Sequence, residues 1–277
     1  TDIPLEIIFK SPTIQKLVVS LESNQIPGAQ VSNLAEEVKL DPRIKGRKMA
    51  ISRARSTSPY AVLLTGATGF LGVFLVNELL KQTNAIIYCL VRSNNELEAK
   101  KKLFNQMRAH MIFVEDHWQY NYAKYNSRIR MLIGDLEKPK FGLSEDAYTE
   151  LATTIDLIYH NGALVHWMYP YEKLKPANVD GTQEILALAS IGTPKRVFYV
   201  SSTAVFNSPF YSSKQVIYEN EEMPEKQSGI GIKGGYPQSK WCAEQICKLA
   251  RKQGVDVTIF RPGFITGHSK TGVWNHD

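Results

Sequence analysis

Tyr236 and Lys240 stand four residues apart in the stretch GGYPQSKWCAE. On a helix, residues i and i+4 share one face, so a phenol and an ammonium there can act on one bound molecule. A free tyrosine ionises at about pH 10. A neighbouring ammonium favours the phenolate and eases proton exchange at neutral pH. Upstream, VFYVSSTAVF carries three consecutive hydroxyls, Ser201, Ser202 and Thr203. A hydroxyl facing the phenol would position a carbonyl and stabilise negative charge on its oxygen. The Y-x-x-x-K spacing alone also fits two residues at an ordinary helix start, so the surrounding chain has to decide.

A second pattern lies in TGATGFLG, which sets Gly66, Gly69 and Gly72 at even intervals. Gly66 would allow a tight turn, Gly69 would let the backbone approach a pyrophosphate, and Gly72 would let a helix pack closely on a sheet. Amides at that helix's N-terminus would face the anion. An apolar run, YAVLLT, precedes the loop and a helical pattern follows it, as a dinucleotide site requires. The second apolar run ends in CLVRS, with Arg92 and Ser93 where an NAD-preferring site would carry a carboxylate. A guanidinium suits a 2′-phosphate, so the sequence predicts NADPH. Lys102 either adds to that phosphate pocket or is simply solvated. Asp135, in GDL (Gly134 to Leu136), is placed to reach the adenine.

The elements that must position these residues are legible as alternation. YAVLLT, AIIYCLV, RIRMLIG, DLIYH, RVFYV and DVTIF are short apolar runs of buried-strand type. FLGVFLVNELLKQ, ELEAKKKLFNQMRAH, VDGTQEILALAS and QSKWCAEQICKLARKQG between them have helical patterns. Such alternation predicts an α/β, Rossmann-type, doubly wound parallel sheet with helices on both faces. Its ligands bind at the carboxyl ends of the strands, where strand order reverses. Ahead of Tyr60 the character changes. PTIQKLVVSLES is helical, with Pro12 near its start, and SNLAEEVKLDP spaces Asn33 and Glu36 as a capping box, with Pro42 ending that helix. The basic stretch Lys45 to Arg55 is expected to be an exposed linker or arm.

With 277 residues, 43% of them hydrophobic, the chain can build one large core with appendages. No run approaches the roughly eighteen apolar residues of a membrane span, and the first residues lack the features of a signal peptide. Cys89, Cys242 and Cys247 show no paired spacing, which suits a reducing cytoplasm. The histidines form no i, i+4 ligand pair, so no metal site is expected. The net charge of +6 is spread along the chain apart from Lys45 to Arg55 and Lys100 to Lys102, and no nucleic-acid-reading motif accompanies these stretches. Solvated faces account for it, with a phosphate-bearing cofactor or an acidic partner protein as the alternative.

Taken together, TGATGFLG, the Ser/Thr–Tyr–Lys set, HNGA (His160 to Ala163), NVDGT (Asn178 to Thr182) and RPGFITG (Arg261 to Gly267) resemble the extended short-chain dehydrogenase/reductase superfamily. The resemblance implies that Gly66, Thr68, Gly69, Phe70, Leu71, Gly72, Arg92, Lys102, Asp135, Leu136, Asn161, Gly162 and Ala163 line the cofactor, with Tyr236 and Lys240. It implies Ser202 as the catalytic hydroxyl, with Thr203 in reserve, and Lys240 on the nicotinamide ribose. Asn178 would support this network or cap a helix. GALVHWMYPYEKLKPANVDGT, GGYPQSKWCAE and EEVKLDPRI are similar to thioester reductase domains of carboxylic acid reductases and fungal aminoadipate reductases. PLEIIFKSPTIQKLVVSLES resembles the last helix of a phosphopantetheinyl carrier domain.

That likeness implies residues 1–24 as a carrier-domain remnant, 25–59 as a linker with a short helix, and 60–277 as an NADPH-binding reductase domain. The phosphopantetheine would come from the upstream carrier, and an adenylation domain would precede it in cis. The substrate would be an acyl-phosphopantetheine thioester, aminoadipoyl favoured with aryl or other amino acids as alternatives, and no nucleic acid or membrane partner is expected. His166, Trp167 and Tyr169 would line the substrate side or pack an irregular loop. The resemblance stops soon after RPGFITG, short of the smaller substrate-binding subdomain that such domains carry. Two alternatives stay open: an NAD(P)-dependent sugar-nucleotide epimerase or dehydratase, and a non-catalytic dinucleotide-sensing module.

Overall fold

The computed structural model describes residues 11, 13–22, 34–46, 60–112, 126–219, 221, 224 and 229–275. Six parallel strands form one sheet: β1 (Ala61–Thr65), β2 (Ile86–Val91), β3 (Ile129–Ile133), β4 (Leu157–His160), β5 (Arg196–Val200) and β6 (Val257–Phe260). Their order is β3-β2-β1-β4-β5-β6. They fall on the six apolar runs, because parallel strands covered by helices need mostly apolar residues. Every residue of the central β1 is buried. From β1 the chain steps outward through β2 and β3, then returns to the other side of β1 for β4. The carboxyl ends of β1 and β4 therefore frame the crevice where strand order reverses.

On one face α2 (Phe70–Gln82) and α3 (Glu96–Ala109) lie over the sheet, following α1 (Ile14–Glu22) in the chain. Val73, Val76, Leu103 and Met107 pack there with Val62, Leu64, Ile87 and Cys89. The other face carries α4 (Glu145–Thr154), α5 (Tyr171–Lys175), α6 (Gly181–Ser190), α7 (Pro209–Ser212) and α8 (Gly235–Lys252). Leu151, Ile185, Leu188, Trp241 and Ile246 join Leu63, Val197 and Tyr199 in the larger core. All three cysteines are free and buried. Among the described residues no helix is long and apolar enough to cross a membrane.

Two helix boundaries differ from the sequence expectation in ways that matter. The start of α8 lies at Gly235, three residues before the expected QSKW, so Tyr236 sits in its first turn. Gly234 has φ +87°, and a side chain at Gly235 would come within 2.3 Å of the Tyr169 carbonyl oxygen. The glycine pair thus lets the chain reverse and the helix begin pressed against the preceding loop. Second, the helix expected to run to Pro42 is a single 3-10 turn, Leu34–Glu37. Tertiary contacts take over from there. Leu34, Val38 and Ile44 enter the core, and the Asp41 amide donates to Gln183 at 2.8 Å. Arg43 bridges Asp41 and Glu184, while Lys175 pairs with Glu37 at 2.6 Å. Asn33 of the expected capping box, Pro12 and residues 47–55 of the basic stretch lie outside the described residues.

Candidate active site

The glycine loop turns where β1 meets β4. Gly66 has φ +69°, and a Cβ there would stand 2.7 Å from the Gly162 Cα. At Gly72 a Cβ would stand 1.9 Å from the Gly66 carbonyl oxygen, so α2 rests directly on the turn. Gly69 differs: a Cβ there would meet only that same oxygen, at an ordinary 3.5 Å. It caps α2 with no side chain on the first amides. The protein's own packing demands glycine at 66 and 72 but leaves the space beside Gly69 open, next to helix amides suited to an anion.

Beneath the turn a buried hydrogen-bond chain fixes the β4 end. Thr182 Oγ1 donates to the Asn178 carbonyl at 2.7 Å, so it accepts from His160 Nε2 at 3.0 Å. His160 Nδ1 then accepts from the Thr65 hydroxyl at 2.8 Å, and Thr65 Oγ1 accepts the Gly162 amide at 2.8 Å. This order requires a neutral imidazole. Burial, with the Lys240 ammonium adding to it, holds the His160 pKa down at about 3. Asn161 donates to the Gly66 carbonyl at 3.3 Å, and the Leu136 side chain lies against Gly162.

Ser202, Tyr236 and Lys240 converge at the neighbouring β5 end. Ser202 ends the extended run and caps a 3-10 turn, its Oγ accepting the Ala204 amide at 3.2 Å. Its own proton remains available, and Ser202 is near enough to the Tyr236 phenol to oppose the effect of burial on it. Tyr236 is buried. Burial raises its pKa above the ordinary value, and only Ser202 acts the other way. The sequence expectation that Lys240 would bias Tyr236 toward phenolate is therefore not met. Lys240 Nζ donates to the Val200 carbonyl at 2.8 Å and lies 5.1 Å from the Tyr199 ring centre. Burial lowers its pKa to about 8, which leaves it mostly cationic at neutral pH. The pair presents a protonated phenol beside a largely charged amine.

Thr203, the reserve hydroxyl, donates its amide to the Pro262 carbonyl. It lines an apolar cleft of about 1000 Å³ together with Leu71, Val200, Ile259 and Pro262. One cleft thus joins the first turn after the glycine loop to the hydroxyl cluster. Phe70 packs edge-on against Phe74 and His110, and Thr68 and Ala163 are half-buried nearby in the chain. Asp135 accepts the Glu137 amide at 3.1 Å. Arg92 is exposed, with Glu137 at 3.8 Å. Lys102 is exposed on α3, and no described contact joins it to Arg92. His166 stacks on Tyr169 with ring centres 3.6 Å apart, which packs their own loop, whereas Trp167 meets Tyr236 edge-on at 5.4 Å.

Glu244, Ser201 and Arg261 have roles that sequence reasoning did not assign. Glu244 is fully buried, gripped by Arg261 through Nε at 2.9 Å and through Nη2, and by the Ser201 hydroxyl at 2.8 Å. Ser201 is therefore committed to tying β5 to α8, and Arg261 to tying β6 to the same helix. The signal was present: Glu244 lies four residues past Lys240, on the same face. Asn178 sits in a π-helical turn, Pro176–Asp180. It accepts the Leu164 amide at 2.7 Å, donates to the Leu164 carbonyl at 3.0 Å and to Ser239 at 2.9 Å. It supports the loop after β4 rather than capping a helix.

Comparison with known proteins finds a matching family and several relatives. Residues 64–277 match the NAD-binding family described as Male sterility protein. A linear gramicidin synthase of Brevibacillus parabrevis is 41% identical over all of this chain, which covers 5% of that protein. L-2-aminoadipate reductase of Saccharomyces cerevisiae is 34% identical over all of this chain, covering 21% of it. The terminal R domain of the myxalamid PKS-NRPS pathway superposes with a TM-score of 0.77 at 40% identity, over 87% of this chain and 58% of that one. A thiolation-reductase di-domain of an archaeal non-ribosomal peptide synthetase gives 0.63 at 26% identity, over 88% and 60%. This chain spans about a fifth or less of those two curated relatives.

Proposed function

The chain belongs to the family described as Male sterility protein, and on that premise we propose that it reduces a phosphopantetheine-bound acyl thioester to an aldehyde with NADPH. The observation that carries the reading is the convergence of Ser202 with buried Tyr236 and buried Lys240 at the carboxyl end of β5. The names of its relatives support the same chemistry: an aminoadipate reductase, and a thiolation-reductase di-domain of a peptide synthetase.

The residues present fit a dinucleotide. The open side of Gly69 and the uncapped start of α2 would take the pyrophosphate. Exposed Arg92, held only loosely by Glu137, would meet a 2′-phosphate. When bound, NADPH supplies the hydride. Ser202 and Tyr236 would hold the thioester oxygen between two hydroxyls, stabilising charge as it develops there. Tyr236, kept protonated by burial, would donate its proton to that oxygen. Lys240 would hold its ammonium near the site while the pH stays below about 8. The resulting hemithioacetal collapses when its hydroxyl proton leaves and the carbon–sulfur bond breaks. The products are an aldehyde and the pantetheine thiol.

Carrier and adenylation domains upstream in cis would deliver the substrate, and the cytoplasm would be the site of action. Residues 1–24 would close the carrier domain. Residues 34–46, docked on α6 and α8, would then belong with the reductase body. The test is to mix the protein with NADPH and a panel of acyl-pantetheine thioesters, aminoadipoyl included. One aldehyde and one thiol per NADPH consumed supports the reading, and NADPH consumption without thiol release defeats it.

A further inference from the structure

Beside Tyr236 the described residues leave aromatic surface exposed. Trp167, in the loop after β4, touches the Tyr236 ring edge-on, with centres 5.4 Å apart. Phe264, in the loop after β6, stacks over Trp167 at 6.2 Å and 22°. Yet Trp167 is 56% and Phe264 88% exposed. Val165 and Ile265 flank them in sequence and are exposed as well. Gly263, before Phe264, has nothing within 4 Å of where a Cβ would stand. Two stacked aromatic rings left this exposed beside the Tyr236 phenol offer apolar surface to a ligand.

The position restricts the occupant. The pair abuts the phenol proposed to protonate the thioester oxygen, so its contacts fall on the carbons next to that carbonyl. The neighbouring cations are already engaged: Lys240 with the Val200 carbonyl, and Arg261 with Glu244. We propose that Trp167 and Phe264 form an aromatic grip that selects acyl groups whose first few carbons beyond the carbonyl are apolar. The grip rejects those carrying a carboxylate there, since desolvating an unpaired charge against two aromatic rings is costly. This inference rests on the thioester reductase reading.

The test compares kcat/KM for acetyl-, pentanoyl- and succinyl-pantetheine, the last two of similar length, in the wild type, Trp167→Phe and Trp167→Ala/Phe264→Ala. Gripping about three methylenes should favour pentanoyl over acetyl by about 50-fold, with succinyl no better than acetyl. Trp167→Phe should keep most of that preference, and the double variant should reduce it to under about 5-fold. Both side chains are exposed, so folding should survive, and NADPH affinity should be unchanged. A wild type that reduces all three within threefold overturns the grip. So does a preference that survives the double variant, or a loss of NADPH affinity in it. Failure to reduce any of the three, acetyl included, would instead defeat the thioester reductase reading and the grip with it.

Discussion

His160 gives a sharp prediction because its hydrogen bonds leave no room for a second proton. Nδ1 accepts from Thr65 while Nε2 donates to Thr182, and burial holds the pKa at about 3 against an ordinary 6.5. Between those values the unfolded chain binds a proton that the folded chain refuses, so stability falls as pH drops through this window. From pH 7 to pH 5 the imidazole should cost about 2 kcal/mol, rising to about 4 kcal/mol by pH 3. The matched perturbation is His160→Gln, whose amide can accept and donate but does not titrate in this range. Urea unfolding at pH 7 and pH 5 on both proteins cancels the other titrating groups. The wild type should lose about 2 kcal/mol more than the variant. Equal losses would refute the buried neutral imidazole, and with it the hydrogen-bond order that holds Gly162 against the glycine turn.

Other perturbations follow from the same geometry. Arg261→Met leaves the buried Glu244 carboxylate without its cation and should cost about 3–5 kcal/mol in urea unfolding. Arg261→Met/Glu244→Gln should recover most of it. Gly69→Ala should change stability by less than about 1 kcal/mol, yet weaken NADPH at least about tenfold by calorimetry. Gly72→Ala should lose stability as well, because its Cβ meets backbone. Arg92→Asp should weaken NADPH and shift preference toward NADH, as the carboxylate repels a 2′-phosphate and accepts from a free ribose diol. An unchanged preference would remove Arg92 from the cofactor site.

The parts legible in the sequence were those set by local pattern. The strands announced themselves as short, mostly apolar runs, though only β1 is buried along its whole length, and the glycine loop did so because its spacing answers to one turn. The Tyr236–Lys240 spacing was legible too, but its electrostatics were not. Whether the phenol is desolvated, and whether the ammonium turns to Tyr236 or to the Val200 carbonyl, depends on how deeply α8 sinks against β5. Ser201 and Ser202 are adjacent and chemically alike. Only the pleat, which sends one toward Glu244 and the other toward Tyr236, separates their roles. The segment from Leu34 to Gly46 looked like a linker because its contacts are distant in the chain, as Arg43 with Glu184 shows. The α4 helix has a local start signal in Ser144, which caps it by accepting the Ala147 amide.

The central claim, that Tyr236 delivers the proton in an NADPH-dependent thioester reduction, is tested most directly by Tyr236→Phe. The measurement is single-turnover aldehyde formation from an acyl-pantetheine thioester at saturating NADPH, with NADPH affinity determined on the same samples. The ring and its contact with Trp167 are retained, and only the hydroxyl is lost. The account predicts a rate lower by about 10²-fold or more, with NADPH affinity nearly unchanged. Ser202→Ala should show a smaller loss, and Thr203→Ala a smaller one still. Turnover by Tyr236→Phe within threefold of the wild type would contradict the account.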